Sequence, residues 1–306
     1  MKIALGQGMQ VEGEVSMTLD ELEKLAKRYW LEKAEGGVDP LPNLNVLRRE
    51  KVSAFEAVVY NPVVCLILRG SKEVRIGAQS VTLRRGDALL VSHDLPVTSK
   101  ITEASAEAPY LALILSLDLG TVRSLYEQVG DAVADAPGAR SLAASSAANA
   151  WTDPLRQYLA MMEQPLEAQV LGPAVLREIH FRLLLSPIGG MLRNLLSVDS
   201  HASRIAKAIA RIRKDFRAPV SVTDLARLAG MSQSSFHEHF KSVTGTTPLQ
   251  YLKDLRLIEA RSLLRDGRRS VSETSFEVGY ESPTHFSRDY SRKFGCPPRQ
   301  HLAQMA

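Results

Sequence analysis

Hydrophobic residues in the last third of the chain recur at helical spacing in two similar segments, about 50 residues apart. The first segment spans residues 221–242 and the second spans residues 270–294. Each has a short apolar stretch, a glycine, and then a second stretch in which two aromatic residues stand four positions apart. Each segment therefore predicts a helix, a turn and a second helix, so that one supersecondary unit is used twice.

Corresponding residues in the two segments suit such a unit. Each first helix begins at a serine with an acidic residue three positions later, a pair that satisfies free N–H groups of the first turn. Each glycine ends that helix where a positive φ is needed. The paired positions are Ser221 with Ser270, Asp224 with Glu273, Gly230 with Gly279, Phe236 with Phe286, and Phe240 with Tyr290.

Polar residues occupy the face of each second helix that lies opposite the aromatic residues. Short polar side chains on such a face can reach base edges in a DNA major groove, which is about 12 Å wide. This is the arrangement of a helix-turn-helix. One copy is equally typical of a helical hairpin that does not bind DNA, whereas two copies in register favour DNA binding.

Three stretches of the same region resemble the DNA-binding domain of the AraC/XylS transcription regulators. They are Arg256 to Leu264, Val278 to Arg288, and Phe294 to Pro298, and the resemblance covers residues 203–302. The second unit departs from the family pattern at Thr274 and Ser275, where an aliphatic residue and Ala are more usual.

The resemblance implies that both second helices enter successive major-groove segments on one face of double-stranded DNA, about 34 Å apart. It also implies contact with RNA polymerase. Helix geometry and the resemblance together predict the contacts of individual side chains. We predict base contacts for Gln233, Ser234, His237, Glu238, Thr284, Ser287 and Arg288, and phosphate contacts for Ser232, Lys241, Ser282 and Arg292.

Residues 45–117 show a different pattern, with short segments rich in β-branched residues between turn residues. Many short strands at regular spacing predict an antiparallel barrel or jelly roll. The order of glycine, strand, Gly-Asp, strand and proline resembles a cupin, and Val91 to Val97 resembles the N-terminal effector domain of one AraC-type subfamily. The predicted strands are 57–60, 63–68, 73–76, 81–83, 88–91 and 111–115.

A barrel of this kind could hold a small organic effector. Metal-dependent cupins need several converging His and Glu ligands, and His93 is the one histidine of the strand region. The sequence therefore predicts neither an enzyme nor a metal or cofactor. Cys65 is open to two interpretations, an electrophile-sensing thiol or an inert buried residue. The candidate effector contacts are Cys65, Arg69, Lys72, His93 and Tyr110.

Helical patterns complete the chain. A capping box predicts a helix from Thr18, whereas residues 1–16 show no pattern and we expect them to be partly disordered. Residues 130–150 are rich in Ala, Ser and Gly and predict a mobile connection. A helix is predicted at 119–129, and amphipathic helices are predicted at 151–163 and 170–185. By the family resemblance, these two amphipathic helices imply a homodimer. A linker helix at 249–264 would join the two helix-turn-helix units.

These elements predict an α+β protein of two domains. Residues 1–198 would form a cupin-like antiparallel β-barrel with flanking helices at 119–196, and residues 199–306 an all-α DNA-binding domain. The 306 residues, 45% of them apolar, suffice for two cores.

Charge follows the same division of the chain. Residues 200–306 contain 18 Lys and Arg against 10 Asp and Glu, a net charge of +8. Because the whole chain has a net charge of +4, the remainder is at −4. Basic charge confined to the C-terminal part favours phosphate binding there.

Two cysteines far apart and the lack of a membrane-length apolar run predict a cytoplasmic protein. The favoured function is a transcription regulator that responds to a small molecule. Two alternatives remain open: a constitutive DNA-binding protein whose N-terminal half only dimerises, and a cupin-like enzyme tethered to DNA.

Overall fold

The computed structural model describes residues 4–34, 41–77, 79–129, 142–146, 149–197 and 200–303. Its N-terminal part contains nine described strands. They are β1 (Leu44–Arg49), β2 (Glu56–Tyr60), β3 (Val63–Arg69), β4 (Ser71–Ile76), β5 (Gln79–Arg84), β6 (Asp87–Val91), β7 (Leu95–Glu103), β8 (Tyr110–Ser116) and β9 (Leu142–Ser146).

The strands form two antiparallel sheets that face each other across one interior, and the two sheets together are here called the barrel. One sheet has the order β1-β8-β3-β6-β9 and the other has the order β2-β7-β4-β5. Alternation along β3 shows how the five-stranded sheet is covered on both faces. Cys65 and Ile67 pack in the interior between the sheets, whereas Val64, Leu66 and Leu68 pack in a second core on the outer face.

Five helices supply the rest of that second core. The largest buried side chains of this helical layer are Trp151 and Tyr158, which pack together with Leu22, Ile179 and Leu183. The helices are α1 (Ala4–Ala34), α2 (Leu119–Val129), α3 (Asn149–Ala160), α4 (Pro165–Leu185) and α5 (Gly190–Leu196), with 3-10 turns at Met161–Glu163 and Pro187–Gly189.

The N-terminal fold differs from the sequence prediction in its strands. The prediction missed β1, β7 and β9. It treated Leu95 and Pro96 as a turn, but both begin β7. Pro96 pairs with Val59 of β2 on one side, and the pairing of β7 with β4 on the other side does not extend to Pro96. The missing N–H of Pro96 therefore does not interrupt the hydrogen bonds between β4 and β7.

Strand β9 lies within the segment that was predicted to be a mobile connection. It pairs with β6 from Leu142 to Ser146 and forms the edge of the five-stranded sheet. Its small and polar residues have low strand propensity, so the strand conformation of β9 depends on its pairing with β6. Residues 130–141 and 147–148 of the predicted connection lie outside the described residues.

Helix α1 also begins earlier than predicted, at Ala4 instead of Thr18. Glycines at positions 6, 8 and 13 are weak helix formers, and they hide the helical pattern of this segment. The expected partial disorder of residues 1–16 is therefore wrong for the backbone from Ala4 onward, and residues 1–3 lie outside the described part of the chain.

The C-terminal part is all α-helical. Two short helix pairs flank one long helix, as the sequence predicted. The helices are α6 (His201–Asp215), α7 (Val222–Leu228), α8 (Gln233–Thr244), α9 (Pro248–Arg265), α10 (Val271–Glu277), α11 (Pro283–Phe294) and α12 (Pro298–Ala303).

The predicted caps and helix ends are confirmed in both units. Ser221 accepts a hydrogen bond from the Asp224 N–H, and Ser270 and Glu273 form a complete capping box. Gly230 follows α7 and Gly279 follows α10, with φ of +63° and +90°. At Gly279 an added Cβ would stand 2.3 Å from the Arg217 carbonyl oxygen, so both space and backbone angle require glycine there.

Helix α9 packs in two separate cores. Its first half buries Tyr251, Leu252 and Leu255 with Phe236 and Phe240 of the first unit. Its second half buries Leu257, Ala260 and Leu264 with Phe286 and Tyr290 of the second unit. The linker helix therefore joins both units, as predicted.

The barrel also contacts the first helix-turn-helix unit. Its interior side chains and the aromatic residues Phe236 and Phe240 belong to one continuous hydrophobic cluster. The Tyr251 hydroxyl of α9 donates to the backbone carbonyl of Asp94, between β6 and β7. The Asp94 carboxylate pairs with Arg213 of α6 at 3.2 Å. Apolar and polar contacts thus join the two domains along one side of the barrel.

The second unit contains an unsatisfied buried hydroxyl at the position where it departs from the family pattern. Thr274 is fully buried and its Oγ1 has no hydrogen-bond partner among the described residues. Leu225 occupies the matching place in the first unit and is also buried. Thr274 therefore keeps the helix packing but adds the cost of an unpaired polar group.

We expect Thr274→Val to raise the free energy of unfolding of the C-terminal domain by about 1 kcal/mol, because it removes this hydroxyl without changing the shape of the side chain. Calorimetric unfolding of the full chain measures the change. Thr244→Val is the matched control, since the Thr244 hydroxyl is also buried but donates to the Phe240 carbonyl at 2.7 Å. Equal destabilisation by both substitutions would contradict the prediction.

Candidate nucleic-acid interface and effector site

The second helix of the first unit presents a polar face to solvent. Ser232 caps α8 by accepting a hydrogen bond from the Ser235 N–H, and Phe236 and Phe240 fix the opposite face in the core. The remaining face is formed by the predicted contacts, all of them exposed: Gln233, Ser234, His237, Glu238 and Lys241. The Gln233 amide donates to Thr223 Oγ1 at 2.7 Å, which orients its side chain before any ligand arrives.

The second helix of the second unit is arranged in the same way. Ser282 caps α11, and Phe286 and Tyr290 are buried beneath it. Thr284, Arg288 and Arg292 are exposed on the outer face, and Ser287 is half-buried between them. The guanidinium of Arg288 forms no hydrogen bond or ion pair with the described residues, and it is therefore available for an external acceptor.

The two units differ by one residue in the turn. Four residues separate α7 from α8, whereas five residues separate α10 from α11. The extra residue precedes Pro283, which occupies the first turn of α11, where a missing N–H costs nothing. Glu238 and Arg288 consequently occupy equivalent positions, so an acidic side chain on one helix corresponds to a basic one on the other.

A buried carboxylate fixes α11 to the linker helix. Asp289 is 6% exposed and accepts from Lys253 of α9 at 3.2 Å, and from Arg292 at 2.8 Å. Lys293 pairs with Asp254 of α9 at 3.0 Å. These contacts hold α11 against α9. Because Arg292 is engaged with Asp289, a phosphate at that place would meet a guanidinium that is already oriented.

Four of the residues in the barrel interior bear polar groups and lie close together. Lys72 and Tyr60 come from the four-stranded sheet, and Cys65 and Tyr110 from the five-stranded sheet. The Lys72 ammonium stands 5.0 Å from the centre of the Tyr60 ring. It forms no ion pair with any residue in the described ranges, and the hydroxyls of Tyr60 and Tyr110 have no hydrogen-bond partner there.

The chemistry of this cluster favours a cationic, unreactive interior. Burial raises the pKa of the Cys65 thiol, an effect that the nearby Lys72 opposes, so the thiol stays protonated. Burial alone lowers the pKa of Lys72, but its neighbours Tyr60 and Cys65 keep that pKa above the ordinary value. Burial and the raised pKa of its thiol thus favour the inert interpretation of Cys65.

Two of the candidate effector contacts lie elsewhere. Arg69 ends β3 and pairs with Glu23 of α1 at 2.5 Å, so it belongs to the contact between sheet and helix. His93 follows β6 and lines a separate cavity between the two domains. Burial lowers the pKa of His93 to about 4, and its imidazole is therefore neutral at pH 7. Tyr60 was not among the residues predicted to contact an effector, because strand alternation alone does not fix which residues point inward.

Metal clusters and membrane-length helices are both absent from the part of the chain that the structure describes. Among the described residues, no group of three or more His, Cys, Asp or Glu side chains could hold a metal ion. In the same ranges, no helix has the length and apolar character needed to cross a membrane.

Comparison with known families accounts for both domains. A family model described as the AraC-type transcriptional regulator N-terminus matches residues 40–191, and one described as a helix-turn-helix domain matches residues 225–304. The chain belongs to the AraC/XylS family. The recognition from sequence and the predicted fold class are both confirmed.

Two curated relatives of this AraC/XylS member are HTH-type transcriptional activators named RhaS, from Escherichia fergusonii and from Escherichia coli O1:K1. Both are 35% identical over 147 residues. The matches cover 48% and 47% of this chain and 52% of each relative. The chain thus spans about half the length of the curated relatives that it matches.

Solved structures share the fold at low sequence identity. An apo variant of ToxT from Vibrio cholerae strain SCE256 superposes with a TM-score of 0.52 at 14% identity over 86% of this chain and 97% of that chain. ToxT from Vibrio cholerae O395 bound to (E)-4-(8-methylnaphthalen-1-yl)but-3-enoic acid gives 0.52 at 15% identity over 86% and 98%. The similarity concerns the architecture of a strand-rich N-terminal domain joined to a helical C-terminal domain.

Proposed function

We propose that this AraC/XylS member is a transcription regulator that binds double-stranded DNA through α8 and α11. The observation that supports this most directly is the pair of capped helices, each buried on its aromatic face and exposed on its polar face. Helix α9 packs in the cores of both units and so holds the two polar faces at a fixed separation. Two rigidly related helices can bind successive major-groove segments.

The proposed contacts divide into two kinds. Gln233, Ser234, His237, Glu238, Thr284, Ser287 and Arg288 would contact base edges, and Ser232, Lys241, Ser282 and Arg292 would contact phosphates. Arg288 suits the O6 and N7 atoms of guanine, and Glu238 suits the N4 amino group of cytosine. The RhaS relatives are named transcriptional activators, which supports a role in transcription for this chain also. Contact with RNA polymerase, which the family resemblance implies, is part of the proposal.

Selection from a library of random duplexes at a stated salt concentration tests this function. Two enriched segments one helical turn apart are the expected result. We expect Arg288→Ala to weaken binding by about 1–3 kcal/mol at one base pair and to remove the preference there. Lys241→Ala is the comparison, because a lost phosphate contact should weaken all sequences equally and reduce the salt slope by about 1. Uniform weakening by Arg288→Ala would assign Arg288 to a phosphate instead, and no enrichment would exclude sequence-specific binding.

We further propose that two copies of the chain associate through α4. Val175, Ile179 and Leu183 of this helix are buried in the core beside the sheet, but Leu166 and Val170 are 75% and 65% exposed. These two leave an apolar stripe on the outer side of α4, at a spacing of four residues. An exposed apolar stripe on an otherwise packed helix is typical of a subunit interface.

Leu166→Glu should convert the dimer to a monomer, because it places a charge within the stripe, and analytical ultracentrifugation measures this. Leu31→Glu provides the control, since Leu31 is an exposed leucine on α1, at 54% exposure. A wild-type chain that is monomeric at micromolar concentration, or a Leu166→Glu chain that remains dimeric, would contradict the proposed interface.

The barrel interior is the proposed effector site. Among the described residues, the buried Lys72 ammonium has no ion pair and the buried hydroxyls of Tyr60 and Tyr110 have no hydrogen-bond partner. Such groups are costly unless a ligand satisfies them. An organic acid would pair with Lys72 and accept from Tyr60 or Tyr110. ToxT, which shares the fold, has been crystallised with a small organic acid. A regulator that responds to an effector is therefore favoured over a constitutive DNA-binding protein.

We expect aromatic acids to raise the unfolding temperature of the wild-type chain and to lose this effect in Lys72→Met, which keeps the length of the side chain without its charge. A thermal-shift titration that includes sugars and aldehydes measures the selectivity. Lys100→Met serves as the control, because Lys100 pairs with Glu73 at 3.2 Å outside the polar cluster. If no acid shifts the wild-type transition, the constitutive alternative is favoured.

A further inference from the structure

A cavity of about 440 Å³ lies between the barrel and α9, and it is here called the α9 cavity. The barrel lines it with Phe55, Arg75 and Gly77. The DNA-binding domain lines it with α9 and with the last turn of α11, at Arg292 and Lys293. The barrel therefore comes close to Arg292, which is one of the proposed phosphate contacts.

The same part of the barrel reaches the C-terminal ends of both proposed DNA-binding helices. The turn after β4 packs on Gly245, the residue that ends α8, where an added Cβ would stand 2.8 Å from Ile76 Cγ2. Across the α9 cavity it faces the last turn of α11. Two successive major-groove segments are separated by one minor groove, so a duplex bound by both helices places backbone phosphates between α8 and α11.

The barrel side of the α9 cavity has a surplus of positive charge. The Arg75 Nε donates to the Glu73 carboxylate at 2.6 Å, and Lys100 pairs with the same carboxylate at 3.2 Å. Both cations also lie over the Phe55 ring, at 3.9 and 4.6 Å from its centre. Hydrogen bonds from Arg75 and Ser80 lower the pKa of Glu73 to about 2, so this carboxylate is charged at neutral pH. Because two cations share one carboxylate here, one positive charge is left over.

The opposite side of the cavity has a similar surplus. Lys253 and Arg292 share the carboxylate of Asp289, at 3.2 and 2.8 Å. Lys293 is paired with Asp254 at 3.0 Å and adds no net charge. The Asp289 side chain is 7% exposed, whereas that of Arg292 is 65% exposed, so the positive member of this group faces solvent. Two groups of surplus positive charge on neighbouring surfaces attract an anion.

The guanidinium of Arg75 is placed to contact a phosphate. Its side chain is 47% exposed, and Glu73 accepts from the Nε atom. The two terminal nitrogens have no partner among the described residues, and they can donate in parallel to two phosphate oxygens. Glu73 and the Phe55 ring orient the guanidinium, so that little side-chain freedom is lost when it binds.

We propose that Arg75 contacts the DNA backbone, so that the barrel domain adds a phosphate contact to those of the two helix-turn-helix units. The phosphate would lie beside the one that Arg292 contacts, along the minor groove between the two major-groove segments. Such a contact adds affinity without reading sequence. The inference rests on the proposed DNA-binding function, and it extends the DNA-binding surface from the helical domain to the barrel.

Fluorescence anisotropy of the full chain on the duplex enriched by selection, at salt concentrations from about 50 to about 200 mM, tests the proposal. Arg75→Gln should reduce the slope of log affinity against log salt by about 0.9, so its loss of affinity should be about threefold smaller at the highest salt than at the lowest. Arg84→Gln is the matched control. Arg84 is exposed on the same outer face of the paired strands β4 and β5, and it does not line the cavity.

Arg75→Lys separates a phosphate contact from a role in packing the domains together. It retains the charge and should retain the wild-type salt slope. An equal loss of affinity in Arg75→Gln and Arg75→Lys at the wild-type slope, or no loss in either variant, would overturn the proposal. A higher affinity in Arg75→Gln would mean that the barrel obstructs DNA at this place, and it would overturn the proposal as well.

Two further results distinguish this inference from the function on which it rests. If selection enriches no duplex, sequence-specific binding fails, but the same titration on a random-sequence duplex still tests Arg75. No binding to either duplex would overturn both. Inorganic phosphate provides the other comparison. If it raises the unfolding temperature of the wild type but not of Arg75→Gln, and the DNA salt slope is unchanged, the cavity binds a free anion and the proposed DNA contact is wrong.

Discussion

Helix α9 is buried in one hydrophobic core along its first half and in another along its second half. The arrangement of the DNA-binding domain depends on this double burial. Tyr251, Leu252 and Leu255 belong to the core of the first unit, and Leu257, Ala260 and Leu264 belong to that of the second. A continuous helix does not bend freely between such anchors, so the positions of α8 and α11 are fixed relative to each other. The ion pairs of Asp289 with Lys253 and Arg292 further restrain α11 against α9.

The same helix also joins the domain to the barrel. The hydrophobic cluster around Phe236 and Phe240 continues without interruption into the barrel interior, and backbone turns meet where Gly77 approaches Gly245. An added Cβ at Gly77 would stand 2.3 Å from the Gly245 carbonyl oxygen, which leaves no room for a side chain. A close interface of this kind places the barrel and the first helix-turn-helix unit in direct van der Waals contact.

Buried polar groups without partners are concentrated near the interior of the barrel and the domain boundary. Within the ranges that the structure describes, the hydroxyls of Tyr60 and Tyr110 and the Nε2 of His93 have no hydrogen-bond partner, and Lys72 is a buried cation without an ion pair. A folded protein normally satisfies such groups, because each one costs free energy. The two hydroxyls and the ammonium inside the barrel are the physical basis for the effector proposal, whereas the Thr274 hydroxyl lies in the core of the second helix-turn-helix unit.

The sequence by itself determined the features that depend on local spacing. Three such features follow from the geometry of a single helix: the serine caps, the glycines after α7 and α10, and the aromatic pairs four residues apart. These features predicted the two units and the outward faces of α8 and α11. Strands β7 and β9 were missed because Pro96 and a run of small residues show strand character only beside their partners. The approach of Lys72 to Tyr60 brings together residues from different strands, and the cavity beside His93 is lined by residues from distant strands and helices. Only the tertiary structure decided these, because side-chain direction in a barrel and the contact between domains depend on pairing that no local pattern specifies.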